Sequence, residues 1–361
     1  MLLSSVIENN LRPTDLQPSG IPPLTWFARD VTMGKRRMKM SHHLSNLVVV
    51  LTGASSGIGK ATALRFAENG AHLVLAGRRE ESLRQLADEC RELGVRAIAV
   101  KTDVTDENQV IDLGRRALSE FGRIDVWVNN AGVMLYGRVE EVPASAMRRV
   151  FETNVFGHMY GARAVLPQFR RQGRGILINV ASMVGKAGIA YMSAYVASKH
   201  ALVGFADCLR QEVMLDKADV HVCTVMPASI DTPLFQHAAN YTGQEAQPIS
   251  PIYDAENVAD AIIGCVQKPQ REVYVGSMGR LTAFNRTFSP AMHDRVASTI
   301  AESQQFSETR EPRTDGNLFQ PKGPDTISGG WRQPSGVGRK VAVAALAAAV
   351  PVSLVWALKG R

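Results

Sequence analysis

Cysteine is scarce in this chain: Cys90, Cys208, Cys223 and Cys265 are its four thiols in 361 residues. None is closely paired with another, which excludes a disulfide-stapled scaffold and a thiolate metal site and points to reduced cytosolic thiols. The eight histidines form no ligand cluster, so no metal is expected. Aromatic residues are only 6% of the chain and nowhere interleave with a basic stripe, which argues against nucleic acid as a partner. The net charge of +7 and pI near 9.3 come mainly from the two ends, and phosphates of a cofactor or of lipid headgroups are sufficient partners for it. A secretory leader is not expected, because the first residues lack a basic start and Glu8 interrupts a short apolar run. No internal repeat is present.

Long uncharged runs are equally rare. The one that stands out is Val341–Leu358, flanked by Arg339-Lys340 and by Lys359 and Arg361. Eighteen helical residues span about 27 Å, just short of a ~30 Å hydrocarbon core. Seven are alanine and Pro351 interrupts them, so insertion would be marginal. A C-terminal membrane anchor over 341–361 is the expectation, with an amphipathic or docked helix as the alternative. Residues 301–340, polar and rich in Pro and Gly, read as a linker. Residues 1–44 read as an irregular extension ending in the basic run Lys35-Arg-Arg-Met-Lys39; initiation at Met38 or Met40 would account for it.

Between these tails, from 45 to 300, strand and helix patterns alternate, which predicts an α/β fold with a doubly wound parallel sheet in a single domain. Leu47-Val-Val-Val-Leu-Thr52 is a short β-branched run fit for a buried strand. Gly53-Ala-Ser55-Ser56-Gly57-Ile58-Gly59 follows it and leads into a helical pattern from Lys60 to Asn69. Glycines at such a turn let the backbone approach a pyrophosphate, whose charge then lies at the helix N-terminus. Further helices are expected over 80–93, 106–121, 143–170, 194–215 and 254–266, and late strands over 220–226 and 272–275.

The most chemical pattern is Tyr195-x-x-x-Lys199 with Ser182 thirteen residues upstream. Residues four apart share a helix face, which sets Lys199 beside the Tyr195 phenol. A free tyrosine titrates near 10, about three units too high for acid–base work at neutral pH, and a neighbouring ammonium should bring that value down. Ser182 follows the apolar strand Gly175–Ala181, so its hydroxyl should emerge at the ligand-binding edge of the sheet.

Together these segments closely resemble the short-chain dehydrogenase/reductase family, over about residues 45–290. The resemblance rests on the glycine turn, Asp103-Val104, Asn129-Asn-Ala-Gly132, Asn154, Ser182, Tyr195, Lys199 and the segment Pro227–Thr232. It implies a Rossmann-like fold and hydride exchange between a carbonyl and an alcohol, with Tyr195 as acid or base, Ser182 orienting the substrate oxygen, Lys199 holding the ribose and Asn154 holding a water against the lysine. It also implies that Asp103 and Val104 border the adenine, that Asn130, Ala131 and Gly132 support the ribose, and that Pro227, Ile230 and Thr232 lie over the nicotinamide. Ala228 stands where the family usually has Gly.

After the second strand, His72–Ala76, come Arg78 and Arg79 where an NAD-binding fold usually has an acid. Arginine there suits a 2′-phosphate, so NADP(H) is the expected cofactor. Residues 233–251 occupy the family's substrate-lid position, and Met183, Met192, Phe235 and Tyr241 are either pocket walls or ordinary packing. Sugar-nucleotide epimerases share Tyr-x-x-x-Lys but differ in glycine spacing. A nucleotide-sensing or scaffold protein on the same fold is the alternative. The family further implies a homodimer or homotetramer, associating through helices 143–170 and 194–215. A membrane-inserted tail would suit a small-molecule substrate that is itself lipophilic.

Overall fold

The computed structural model describes residues 44–277 and 289–332. Its centre is a parallel sheet of seven strands: β1 (Val48–Thr52), β2 (His72–Gly77), β3 (Ala97–Lys101), β4 (Val126–Asn129), β6 (Arg174–Val180), β7 (Asp219–Pro227) and β12 (Glu272–Val275). Their spatial order is β12-β7-β6-β4-β1-β2-β3, so the winding reverses between β1 and β4. Such a reversal opens a crevice beyond the carboxyl ends of the strands. Between β4 and β6 lies the short strand β5 (Leu135–Tyr136).

The period-2 pattern of the strands builds two cores. Val49 and Leu51 of β1, Leu73 and Leu75 of β2, and Val126 and Val128 of β4 face one side of the sheet. There they meet α1 (Gly57–Glu68), α2 (Glu80–Glu92) and α7 (Ala255–Gln267). The alternate residues Val50, Val74, Ala76 and Trp127 face the other side. That face is covered by α3 (Glu107–Phe121), α5 (Gly157–Gln172) and α6 (Ser193–Leu215). Side chains that alternate across a strand explain why the strands are apolar throughout rather than amphipathic. Phe66 of α1 is fully buried in the first core. Phe66→Ala should lower unfolding stability by about 3–5 kcal/mol, through lost burial plus a residual cavity, read from the urea midpoint.

The helix expected over 143–170 is interrupted. α4 (Ala144–Phe151) passes into a π-helical turn, Glu152–Phe156, before α5 begins. π turns are rare and often mark functional positions; this one carries Asn154. The lid region adds the short strands β8 (Ser229–Asp231), β9 (Ala239–Asn240), β10 (Gln244–Ala246) and β11 (Ile252–Asp254). β8 pairs in parallel with β11, and β5 pairs with β9.

The tail departs most from expectation. The stretch 301–340 does not behave as a free linker over its described part. A helix, α8 (Pro290–Gln304), leads into β13 (Phe306–Arg310), which pairs antiparallel with β10. Residues 311–332 then continue across the body of the fold, and Leu318 is fully buried. The polar composition misleads because this segment satisfies its polar groups on partners far away in sequence. At the other boundary Leu44 is already buried in the core. The anchor expected over 341–361, the irregular residues 1–43 and the candidate starts Met38 and Met40 lie outside the described residues. Among the described residues no helix is long and apolar enough to cross a membrane.

Candidate active site

The glycine turn is held from below. Gly53 has φ +65°, and a Cβ there would lie 2.7 Å from Ala131 Cα. The Asn130 amide donates to the Thr52 and Gly53 carbonyls at 3.1 Å each, while the Thr52 hydroxyl accepts from the Asn130 and Ala131 backbone N–H groups. Asn130 and Ala131 therefore buttress the turn. Gly57, with φ +54°, faces Thr232 at 3.1 Å from its missing Cβ. Ser56 is the N-cap of α1, but its side chain makes no cap bond; the Gly57 N–H of the first turn donates instead to the Thr326 carbonyl at 2.9 Å, a place an anion at the helix N-terminus would take. Ser55 accepts a hydrogen bond from Arg79 at 3.3 Å, and Ile58 packs on the first core.

At the same sheet edge lie the groups of the Tyr-x-x-x-Lys pattern. Tyr195 is 6% exposed and Lys199 4%. Lys199 Nζ lies 5.6 Å from the centre of the Tyr195 ring and donates to the Val180 carbonyl at 3.1 Å. Ser182 Oγ accepts from the Val184 N–H and donates to the Pro227 carbonyl at 3.4 Å. Asn154 is fully buried; its amide oxygen accepts from Val133 N–H at 2.8 Å, and its nitrogen donates to Val133 O and Ser198 Oγ. Asn154 Oδ1 and Lys199 Nζ both approach Gly132, within 3.4 and 3.7 Å of where a Cβ would stand. The π turn therefore places Asn154 against the lysine's surroundings rather than on a helix surface.

The electrostatics differ from the expectation of a phenol lowered by its lysine. Burial pushes the Tyr195 phenol up to about 12, and the adjacent Ser182 hydroxyl only partly offsets this. Burial also pushes Lys199 down to about 7, so its charge is partly lost at neutral pH. Both shifts have one cause: a low-dielectric site disfavours whichever form is charged. His158, held neutral by burial and by Lys199, is pushed down to about 3 and meets the Ala131 carbonyl at 3.2 Å.

The second strand ends as the sequence led us to expect, but with more company. Arg78 and Arg79 stand at the C-terminal end of β2, and Asp103 at the end of β3. Burial alone would raise the Asp103 carboxyl, but hydrogen bonds from Thr105 and the charges of Arg149 and Arg78 hold it low. Arg149 donates to Asp103 at 2.9 Å, a partner that no spacing in the sequence indicated. Val104 packs against Gly157, where a Cβ would lie 2.8 Å from Val104 Cγ2. Ile230 is a core side chain. Thr232 is buried, and its hydroxyl donates to the Ile230 carbonyl at 3.4 Å. Ala228, in place of glycine, donates its N–H to Val275.

The apolar surroundings of Tyr195 are Met134, Tyr136, Met192, Ala238 and Ala246, with Val184, Leu234, Phe235 and Phe306 packed against them. Met192 and Phe235 thus belong beside Tyr195. Tyr241 does not: it packs with Val133, Val142 and Leu318, and its hydroxyl bonds to Asp315. Phe306, from a segment read as linker, meets Tyr136 edge-on at 5.8 Å. An isolated Phe and an Asn-Leu-Phe in a polar stretch were the faint signals of this docking.

A doubly wound parallel sheet, with a glycine turn at its first crossover and a Ser/Tyr/Lys group at the same edge, defines a Rossmann-type dinucleotide-binding oxidoreductase. The short chain dehydrogenase family model matches residues 47–242. An uncharacterised oxidoreductase of Bacillus subtilis, YxnA, is 40% identical over 79% of this chain and 81% of its own. The dehydrogenase/reductase SDR family member 7B of Bos taurus is 33% identical over 75% of this chain and 86% of its own. Among solved structures, a short-chain dehydrogenase/reductase of Burkholderia phymatum in complex with NAD superposes with a TM-score of 0.64 at 28% identity, covering 70% of this chain and 96% of that one. An alcohol dehydrogenase of Thermococcus sibiricus complexed with 5-hydroxy-NADP gives 0.57 at 27% identity, over 64% and 96%. The chain belongs to the short-chain dehydrogenase/reductase family, whose members bind a nicotinamide dinucleotide and act on small molecules.

Proposed function

We propose that this protein is an NADP(H)-dependent reductase of small-molecule carbonyls. The observation that carries the reading is the convergence of Ser182, Tyr195 and Lys199 at the sheet edge that also bears the glycine turn. The residues present suit the cofactor: the glycine turn at the N-terminus of α1, where no side chain caps the helix, suits a pyrophosphate, and two guanidinium groups after β2 suit a 2′-phosphate. Gly53, Ser55, Ser56, Gly57, Ile58 and Gly59 would line the pyrophosphate. Asp103 and Val104 would border the adenine, and Asn130, Ala131 and Gly132 would support the ribose. Pro227, Ile230 and Thr232 would flank the nicotinamide, with Ile230 contributing backbone.

When bound, the dinucleotide supplies a hydride to the carbonyl carbon. Tyr195 then delivers its phenolic proton to the carbonyl oxygen, turning C=O into an alcohol. A phenol kept neutral by burial is the right form for this direction. Ser182 Oγ would donate to the same oxygen and stabilise its developing charge. Lys199 would donate to the ribose hydroxyls and its charge would favour the tyrosinate left behind. Asn154 holds the segment between β4 and β5 at Val133, and so the environment of Lys199.

The apolar shell of Met192, Leu234, Phe235 and Phe306 favours a lipophilic carbonyl. Scanning NADPH oxidation against ketones, aldehydes, steroids and quinones tests the reading; no turnover on any class while NADPH binds would leave the sensing or scaffold alternative. Replacing Arg78 and Arg79 together with Ala should raise KM for NADPH on the order of a hundredfold, with NADH changed far less. An equal rise for both cofactors would refute the NADP(H) assignment. Self-association through α4–α5 and α6 fits the exposed Phe156, which stacks on Tyr160. Any membrane contact would come from 341–358 and would tether a cytoplasmic catalytic domain.

A further inference from the structure

The strap formed by residues 314–332 lies over the groups that a phosphorylated dinucleotide would use. Gly57 N–H, at the start of α1, donates to the Thr326 carbonyl at 2.9 Å. Arg78 donates to the Asn317 and Leu318 carbonyls at 2.6 and 3.1 Å. Arg79 donates to the Gly323 carbonyl at 2.7 Å and pairs with the Asp325 carboxylate, which also accepts from Ser82. Further along, Asp231 accepts from Ser328 Oγ and from the Gly329 and Trp331 N–H groups at 2.7–3.0 Å. Trp331 meets Phe235 edge-on at 6.1 Å.

The seat is close. A Cβ at Gly329 would lie 2.4 Å from the Thr232 carbonyl oxygen, and one at Gly316, where φ is +52°, would lie 2.4 Å from the Ala238 carbonyl oxygen. A strap that tolerates no side chain at these points is docked at a defined register, not draped. It also lies wholly beyond residue 242, where the family match ends.

We propose that Asp325 of this strap is a specificity-determining residue: its carboxylate holds the anion site at Arg79, so that NADPH must expel it whereas NADH need not. The proposal rests on the NADP(H) reading above. A 2′-phosphate and a carboxylate on one guanidinium are like charges in contact, and the phosphate can bind only the fraction of molecules in which Asp325 has left. Apparent affinity falls by that fraction. Displacing the Thr326 carbonyl from Gly57 N–H to seat the pyrophosphate is common to both cofactors and cancels in their ratio; NADH presents a neutral 2′-hydroxyl and adds no repulsion at Asp325. The strap thereby narrows the preference for NADPH that the arginines alone would create.

Dissociation constants for NADPH and NADH, measured by titrating nucleotide fluorescence against the full chain, test this. Asp325→Asn keeps the size of the side chain and one acceptor oxygen, but replaces the other oxygen with a donating NH2 and removes the charge. It should tighten NADPH about tenfold and leave NADH nearly unchanged. Trypsin supplies a second readout, since expulsion of Asp325 should speed cleavage after Lys322 more when NADPH is added than when NADH is. An unchanged NADPH/NADH ratio, a loss of affinity for either cofactor, or protection of Lys322 by NADPH would overturn the proposal; the last would make the strap a cover over the cofactor. Arg79→Ala separates the two ideas. Selective weakening of NADPH by Arg79→Ala, with a silent Asp325→Asn, defeats the strap proposal alone. Equal effects of Arg79→Ala on both cofactors defeat the cofactor reading as well.

Discussion

Tyr195→Phe is expected to lower kcat for carbonyl reduction by about a thousandfold or more, while the dissociation constant for NADPH stays within about threefold of the native value. The change removes one oxygen from a side chain that is 6% exposed and packed by Met134, Tyr136 and Met192, so the ring still fills its place. What disappears is the proton that must reach the substrate oxygen. Ser182 remains and still offers a hydrogen bond, but a hydrogen bond alone does not complete the alcohol. Stopped-flow binding and steady-state turnover separate the two quantities. A Phe variant that retains more than about a tenth of native kcat would remove Tyr195 from the chemistry. Weakened NADPH binding with unchanged kcat would instead assign it to the cofactor.

The second large effect concerns Lys199 and pH. Its ammonium is pushed down to about 7 by burial, and the cationic form is the one that donates to a ribose and favours a tyrosinate. Because the pKa is depressed, the charged form predominates below about 7 and is lost as pH rises through that value. Tyr195, pushed up to about 12, stays protonated throughout this window and adds no limb of its own. The pH profile of kcat/KM for reduction should therefore be flat at low pH and fall above about 7, since that ratio reports the free protein. Lys199→Met should lower kcat/KM by on the order of a hundredfold or more and abolish the falling limb. A native profile that remains level up to pH 9 would show that the ammonium keeps its proton in the site.

Much of the core was legible because parallel strands buried on both faces must be apolar along their whole length. Val48–Thr52 and His72–Gly77 stand out on that ground, and glycines at a strand-to-helix turn announce the crossover. Tyr195 and Lys199 were legible for a related reason, since four residues is one turn of a helix. Tyr241 was not resolvable by such means: its place beside Leu318 rather than Tyr195 depends on how a lid returns to the body. Arg149 was invisible because its bond to Asp103 spans elements that share no local pattern.

Local periodicity, then, was enough to establish the α/β class, the glycine turn and the Tyr/Lys pairing, because each depends on backbone geometry over a handful of residues. The raised phenol and lowered ammonium, the π turn under Asn154 and the docking of 314–332 across Arg78, Arg79 and Asp231 came from the folded arrangement. Burial, and charge partners separated by more than two hundred residues, exist only once the chain has closed on itself, and composition sees such a strap as nothing more than polar tail.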